Sequence, residues 1–164
     1  MIELIVIDVD GTLTDGKIYY SNSGEEIKAF NIKDGLMVKS WNTLGKKSAI
    51  ITGRTSKIVE KRAKELDITY VKQGIRNKIE TLNEIIDDLG ISYSQVAVIG
   101  DDMNDLSMLK AVEKSFAPYD ANAYIYDFVN YPLKKRGGDG AVAEMIEILL
   151  KEEKIYDKFL ELWQ

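Results

Sequence analysis

Three short, largely apolar runs, Leu4-Ile5-Val6-Ile7, Ser48-Ala49-Ile50-Ile51 and Val96-Ala97-Val98-Ile99, each stop abruptly at small, acidic or hydroxylated residues. Runs of this length and continuity read as strands buried on both faces of a parallel sheet. Helical patterns separate them: residues 34–44 ending at Gly45, Thr55 to Leu66, and Arg76 to Leu89 closed by Gly90. Ile68–Val71 and Ser115–Ala117 read as short strands, Met103–Val112 and Ala141–Trp163 as helical. Strands alternating with helices predict an α/β fold, a Rossmann-like three-layer sandwich around a parallel sheet with right-handed crossovers. Asp8, Thr52 and Asp101 then end three strands on one edge, where open α/β sheets bind their ligands. Residues 17–30 break the pattern. Two alternating arms around Ser21-Asn22-Ser23-Gly24 predict a β-hairpin flap. The 164 residues fit one domain, 1–164, with 141–164 as a C-terminal helical segment.

Composition narrows the chemistry. The chain has no Cys and no His. Disulfides, thiol catalysis and Cys-ligated zinc are excluded, and so is the commonest general base. Catalysis must run on carboxylates, hydroxyls, Lys, Arg or backbone, and any metal should be a hard, oxygen-seeking cation. A net charge of −5 argues against a nucleic-acid partner. No stretch is long and apolar enough for a membrane span, and Met1-Ile2-Glu3-Leu4 lacks a basic leader, so the expected compartment is cytoplasmic.

Asp8 and Asp10 stand two residues apart just past a buried strand, on the same side of an extended chain. Carboxylates so crowded repel unless a cation sits among them or one is protonated. Mg²⁺ would resolve the repulsion and attract phosphate. Aspartate is a competent phosphoryl acceptor. The second aspartate can protonate a leaving alkoxide and then deprotonate water. Thr52 and Gly53, at a strand-to-helix turn, form a candidate phosphate cradle. Lys78, at the start of a helix, is placed to neutralise the nucleophile and the transferring group. Asp101 is placed to complete a metal shell, with Asp102 and Asp105 either as further ligands or behind them, orienting Lys78 and ordered waters.

In order along the chain, Asp8-Val9-Asp10-Gly11-Thr12, Thr52, Lys78 and Gly100-Asp101-Asp102-x-x-Asp105 resemble the four motifs of the haloacid dehalogenase (HAD) superfamily. The resemblance implies Asp8 as nucleophile, Asp10 as general acid and base, and Thr52 and Lys78 as phosphate ligands. It implies Mg²⁺ held by Asp8, Asp101 and the backbone carbonyl of Asp10. Only 41 residues lie between Asp10 and Thr52, and 22 between Lys78 and Asp101. Hairpin, helices and strands use them up, so no cap domain is expected. A small-metabolite phosphatase needs water excluded, and a neighbouring subunit is the expected lid, with the hairpin as assembly element.

Capless chains of this size resemble the 3-deoxy-D-manno-octulosonate 8-phosphate (KDO 8-phosphate) phosphatases of lipopolysaccharide precursor biosynthesis. Asp8 through Gly16, Phe30-Asn31-Ile32-Lys33-Asp34-Gly35, Ile51-Thr52-Gly53-Arg54, Gln73-Gly74 and Gly137-Gly138-Asp139-Gly140-Ala141-Val142 carry that likeness. It implies a homotetramer built on the hairpin and a phosphorylated sugar-acid substrate. Arg54 and Arg62 are candidate contacts for the substrate's carboxylate or hydroxyls. Three departures stand out: Asp139 and Ala143 where the family tends to carry Arg, and a fourth motif closer to phosphoserine-phosphatase-like members. Arg136 is the candidate substitute for the missing Arg. Other classes on a similar scaffold are a phosphatase of another small metabolite, a phospho-receiver domain and a non-catalytic regulatory subunit. A receiver must keep its phosphoaspartate, whereas Asp10 beside Asp8 favours turnover.

Overall fold

A computed structural model describes residues 1–164. The elements run β1 (Leu4–Ile7), β2 (Tyr19–Tyr20), β3 (Glu26–Ile27), α1 (Ile32–Thr43), β4 (Lys47–Ile51), α2 (Lys57–Glu65), β5 (Tyr70–Lys72) and α3 (Lys78–Leu89). They continue with β6 (Val96–Ile99), α4 (Leu106–Ala111), β7 (Lys114–Ala117), β8 (Tyr131–Pro132), α5 (Ala141–Glu152) and α6 (Tyr156–Glu161). Six strands form one parallel sheet in the order β5-β4-β1-β6-β7-β8. The chain starts in the middle of the sheet, winds out to β5, and returns past β1 to build the other half. Asp8 therefore follows the central strand, between the ends of β4 and β6.

The apolar runs are explained by burial on both faces. In β1, Ile5 and Ile7 point into one core with Val38 and Trp41 of α1, Val59 and Ala63 of α2, and the inner face of α5. Leu4 and Val6 point into the opposite core with Leu82 and Ile85 of α3 and Met108 and Leu109 of α4. Each such side chain contributes about 1.5–3 kcal/mol relative to exposure. The three-layer α/β sandwich is thus present, with α1, α2 and α5 on one side and α3 and α4 on the other.

Local signals set the helix ends. Ser56 accepts from the N–H of Ile58 and caps α2. Gly90, at φ +63°, closes α3. Asp34 is fully buried and accepts from the N–H groups of Gly140 (3.3 Å) and Ala143 (2.8 Å), tying α1 to the start of α5.

Several sequence expectations need correction. The hairpin pairs only two residues per arm, Tyr19 with Ile27 and Tyr20 with Glu26. The helical tail is two helices, broken where Lys154 adopts φ +57°. In that tail Phe159 is buried, whereas Leu160 and Trp163 are exposed. The short edge strand β8 and the 3₁₀ turn Ala123–Phe128 were not foreseen. Two residues including a Pro carry no strand periodicity.

Candidate active site

Asp8, Thr52 and Asp101 do meet at the carboxyl edge. They line one polar cavity of about 300 Å³ with Asp10, Gly16, Gly53, Arg54, Asp102 and Asn104. No apolar side chain lines it. Gly11 lets the loop after β1 turn under this cavity. Its φ is +91°, and a Cβ there would strike the Asp101 carboxylate. Gly137 packs so closely on Gly11 that a Cβ at 137 would meet the Gly11 carbonyl, and the N–H of Gly138 donates to the Thr12 carbonyl. The Gly137-Gly138 pair thus braces the Asp8–Thr12 loop from behind.

Behind the cavity floor lies a buried charge cluster. Lys78 Nζ donates to Asp8 Oδ1 at 2.7 Å and to Asp105 Oδ1 at 2.6 Å, with its side chain wholly inaccessible. Asp105 Oδ2 accepts from the N–H groups of Asp101 (3.0 Å) and Asp102 (3.3 Å). Thr12 donates its hydroxyl to Asp101 Oδ1 at 3.3 Å. Carboxylate oxygens of Asp8, Asp101 and Asp105 lie within 4.8 Å of one another. Three carboxylates against one ammonium leave an excess of negative charge in a dry place. Burial first, then the Asp105 charge, push the Asp8 carboxyl well above its usual range, against the pull of Lys78. Burial and the charges of Asp105 and Asp102 raise Asp101 to about 7. Burial pulls Lys78 down, but Asp8 and Asp105 outweigh it and hold its pKa above the usual lysine value.

This imbalance is what a divalent cation would correct, and the donors are all hard oxygens. Both Asp105 oxygens are already taken, by Lys78 and by two backbone N–H groups. That leaves Asp8 and Asp101 as the side chains fitted to hold Mg²⁺.

Several foreseen residues sit otherwise than expected. Lys78 reaches Asp8 from behind and does not line the open cavity. Arg62 is not brought to the cavity. Its guanidinium stacks over Phe30 at 5.6 Å, donates to the Asn31 carbonyl and pairs with Glu65 at 3.3 Å, in the space that Gly35 leaves free. Arg136 lies over the Tyr119 ring at 5.4 Å and does not reach the cavity either. Asp102 accepts from the Tyr124 hydroxyl, which with two nearby amides lowers its pKa.

The hairpin supplies residues that sequence reasoning missed. Lys28 pairs with Asp10 and with Glu26 Oε1 (3.1 Å), and Glu26 Oε2 meets Arg54 at 3.5 Å. Glu26 and Lys28 are two residues apart and so share a face of the extended arm. That spacing was the only available signal.

The profile of the haloacid dehalogenase-like hydrolases matches residues 71–146. The chain is 41% identical over 149 residues to the 3-deoxy-D-manno-octulosonate 8-phosphate phosphatase of Escherichia coli K12, covering 91% of this chain and 79% of the relative. The Yersinia pestis protein of the same name is 41% identical over 155 residues, covering 94% and 83%. A Moraxella catarrhalis 3-deoxy-D-manno-octulosonate 8-phosphate phosphatase, solved with magnesium, phosphate and KDO, superposes with a TM-score of 0.95 at 39% identity, covering 99% of this chain and 94% of that one. The cobalt-bound Haemophilus influenzae phosphatase gives 0.87 at 36%, covering 92% and 88%. By sequence and fold together, the chain belongs to the 3-deoxy-D-manno-octulosonate 8-phosphate phosphatase family of haloacid dehalogenase-like hydrolases.

Proposed function

We propose that the chain is a Mg²⁺-dependent phosphomonoester hydrolase that dephosphorylates 3-deoxy-D-manno-octulosonate 8-phosphate through an aspartyl phosphate on Asp8. The observation that carries this is a carboxylate held from behind by a buried lysine, with a second carboxylate two residues on at the same cavity. Likeness to relatives of that activity across nine-tenths of the chain supports the substrate.

Lys78 fixes the Asp8 side chain, so little reorganisation precedes attack. An Asp8 oxygen attacks phosphorus, and the bond from phosphorus to the sugar oxygen breaks. The electron pair leaves on that oxygen, which takes the proton held by Asp10 and departs as an alcohol. Asp10, now a carboxylate, takes a proton from water. The water oxygen attacks phosphorus, the bond to Asp8 breaks, and phosphate leaves with Asp8 restored. Thr52 and the N–H of Gly53 cradle the phosphoryl oxygens. Asp8, Asp101 and the Asp10 carbonyl would hold Mg²⁺, which when bound would supply the counter-charge that keeps Asp8 and Asp101 ionised beside a phosphate dianion. Arg54, half exposed at the rim, is assigned to the sugar-acid carboxylate.

The proposal includes a homotetramer in the cytoplasm. Ile18, Tyr20 and Ile27 on the hairpin and Ile32 at the start of α1 are exposed, Ile32 to 85%, and apolar residues grouped in this way mark an interaction surface. Light scattering tests the assembly. Phosphate release from a panel of phosphorylated sugars and sugar acids, with and without Mg²⁺, tests the activity. KDO 8-phosphate should give the highest kcat/KM, and no release from any member would sink the reading.

A further inference from the structure

Asp10 must hold its carboxyl within hydrogen-bond reach of first an alkoxide and then a water. Its own backbone does little to ensure this. Asp10 lies in an irregular loop at φ −77° and ψ 114°, directly before Gly11 at φ +91°. Its side chain is about a quarter exposed, and an aspartate so placed has several staggered rotamers open to it. A single side chain donates a hydrogen bond to the Asp10 carboxylate, and it is Lys28, which takes Oδ1. No protein donor takes Oδ2. Lys28 is no solvated surface charge: its side chain is 1% exposed, and its ammonium is enclosed by Asp10 and by Glu26 at 3.1 Å. Buried lysines are uncommon unless paired.

We propose that Lys28 is a positioning residue that clamps the Asp10 carboxyl in its working rotamer, so that the hairpin arm carrying it sets the geometry of acid–base catalysis. The proposal rests on the phosphatase reading above. Glu26 completes the device from the same arm. It pairs with Lys28 and also meets Arg54, so one arm of the flap ties the acid–base residue to the rim. A role for Lys28 in gripping substrate phosphate is disfavoured, because its ammonium is already enclosed by two carboxylates.

The test uses Lys28→Met, with Lys28→Gln as a second neutral variant should Met not fold, and Lys28→Arg for rescue. Thermal melting checks the fold of each. On KDO 8-phosphate, an alkyl phosphate, the neutral variant should lose kcat by about 100-fold with KM unchanged, the scale of a misplaced catalytic group. On p-nitrophenyl phosphate the leaving group needs no proton, but breakdown of the phosphoenzyme still needs Asp10 as base. The neutral variant should therefore release a burst of nitrophenolate stoichiometric with enzyme, followed by slow turnover. Lys28→Arg should recover part of the loss. In an Asp10→Asn background, Lys28→Met should cost nothing further. A rise in KM with kcat intact, an undiminished kcat, or an equal loss in the Asp10→Asn background would each overturn the proposal while leaving the phosphatase reading standing. Absence of turnover by the wild-type protein would remove both.

Discussion

Replacing Lys78 by methionine keeps the length of the side chain and removes its charge. In the native protein that ammonium is fully buried between Asp8 at 2.7 Å and Asp105 at 2.6 Å. The variant would strand two buried carboxylates beside a third, Asp101. Breaking a buried ion pair from one side costs about 3–5 kcal/mol, a large part of the roughly 5–15 kcal/mol that stabilises a typical domain. At about 2–4 °C per kcal/mol for a chain of this size, melting should fall by about 6–20 °C. Two controls separate charge from packing. Lowering pH should narrow the gap to wild type, because orphaned carboxylates become neutral. The double variant Lys78→Met/Asp105→Asn should be more stable than Lys78→Met alone, because one stranded charge is gone. Chemical denaturation followed by circular dichroism at two pH values measures all of this. A Lys78→Met protein within about 1 kcal/mol of wild type at neutral pH, the value of an exposed pair, would refute the buried charge cluster.

Further outcomes are expected. Gly11→Ala places a methyl against the Asp101 carboxylate at φ +91°, so Mg²⁺ binding measured by calorimetry should be lost while the fold survives. Asp34→Ala removes the carboxylate that caps α5 and should cost about 1–2 kcal/mol in chemical denaturation, with kcat unchanged. The raised pKa values of Asp8 and Asp101 mean that cation binding must displace protons. Apparent Mg²⁺ affinity should therefore climb with pH through about 7, with proton release visible as buffer-dependent binding heat. In the metal-free protein both groups bind protons more tightly when folded. Their contribution therefore favours the fold most below pH about 4, the unfolded carboxyl range, and Asp101's share is lost as pH rises through about 7.

The site was legible in the sequence where strands deliver residues to the sheet edge. Burial on both faces writes β1, β4 and β6 as apolar runs, and the first residues after each run must emerge at the edge, which places Asp8 and Thr52 directly and Asp101 one residue further on, past Gly100. Lys28 was not legible, since its partner Asp10 is 18 positions away across the hairpin, and no periodicity records a buried ion pair. Arg62 was misplaced for a related reason. Its position on the helix after β4 is right, but a vacancy at Gly35 and the Phe30 ring draw its guanidinium under α1. The tail read as one helix because Glu153, Lys154 and Ile155 keep its composition; the left-handed turn at Lys154 is not a glycine, the residue that usually marks such a turn.

The central claim is that Asp8 itself carries the phosphoryl group. Rapid acid quench during turnover of KDO 8-phosphate, borohydride reduction of the acyl phosphate and peptide mapping test it directly. Homoserine at position 8, absent without Mg²⁺ and absent from Asp8→Asn, is the predicted result. Undiminished turnover by Asp8→Asn, or reduction mapped to any other carboxylate, would contradict the account.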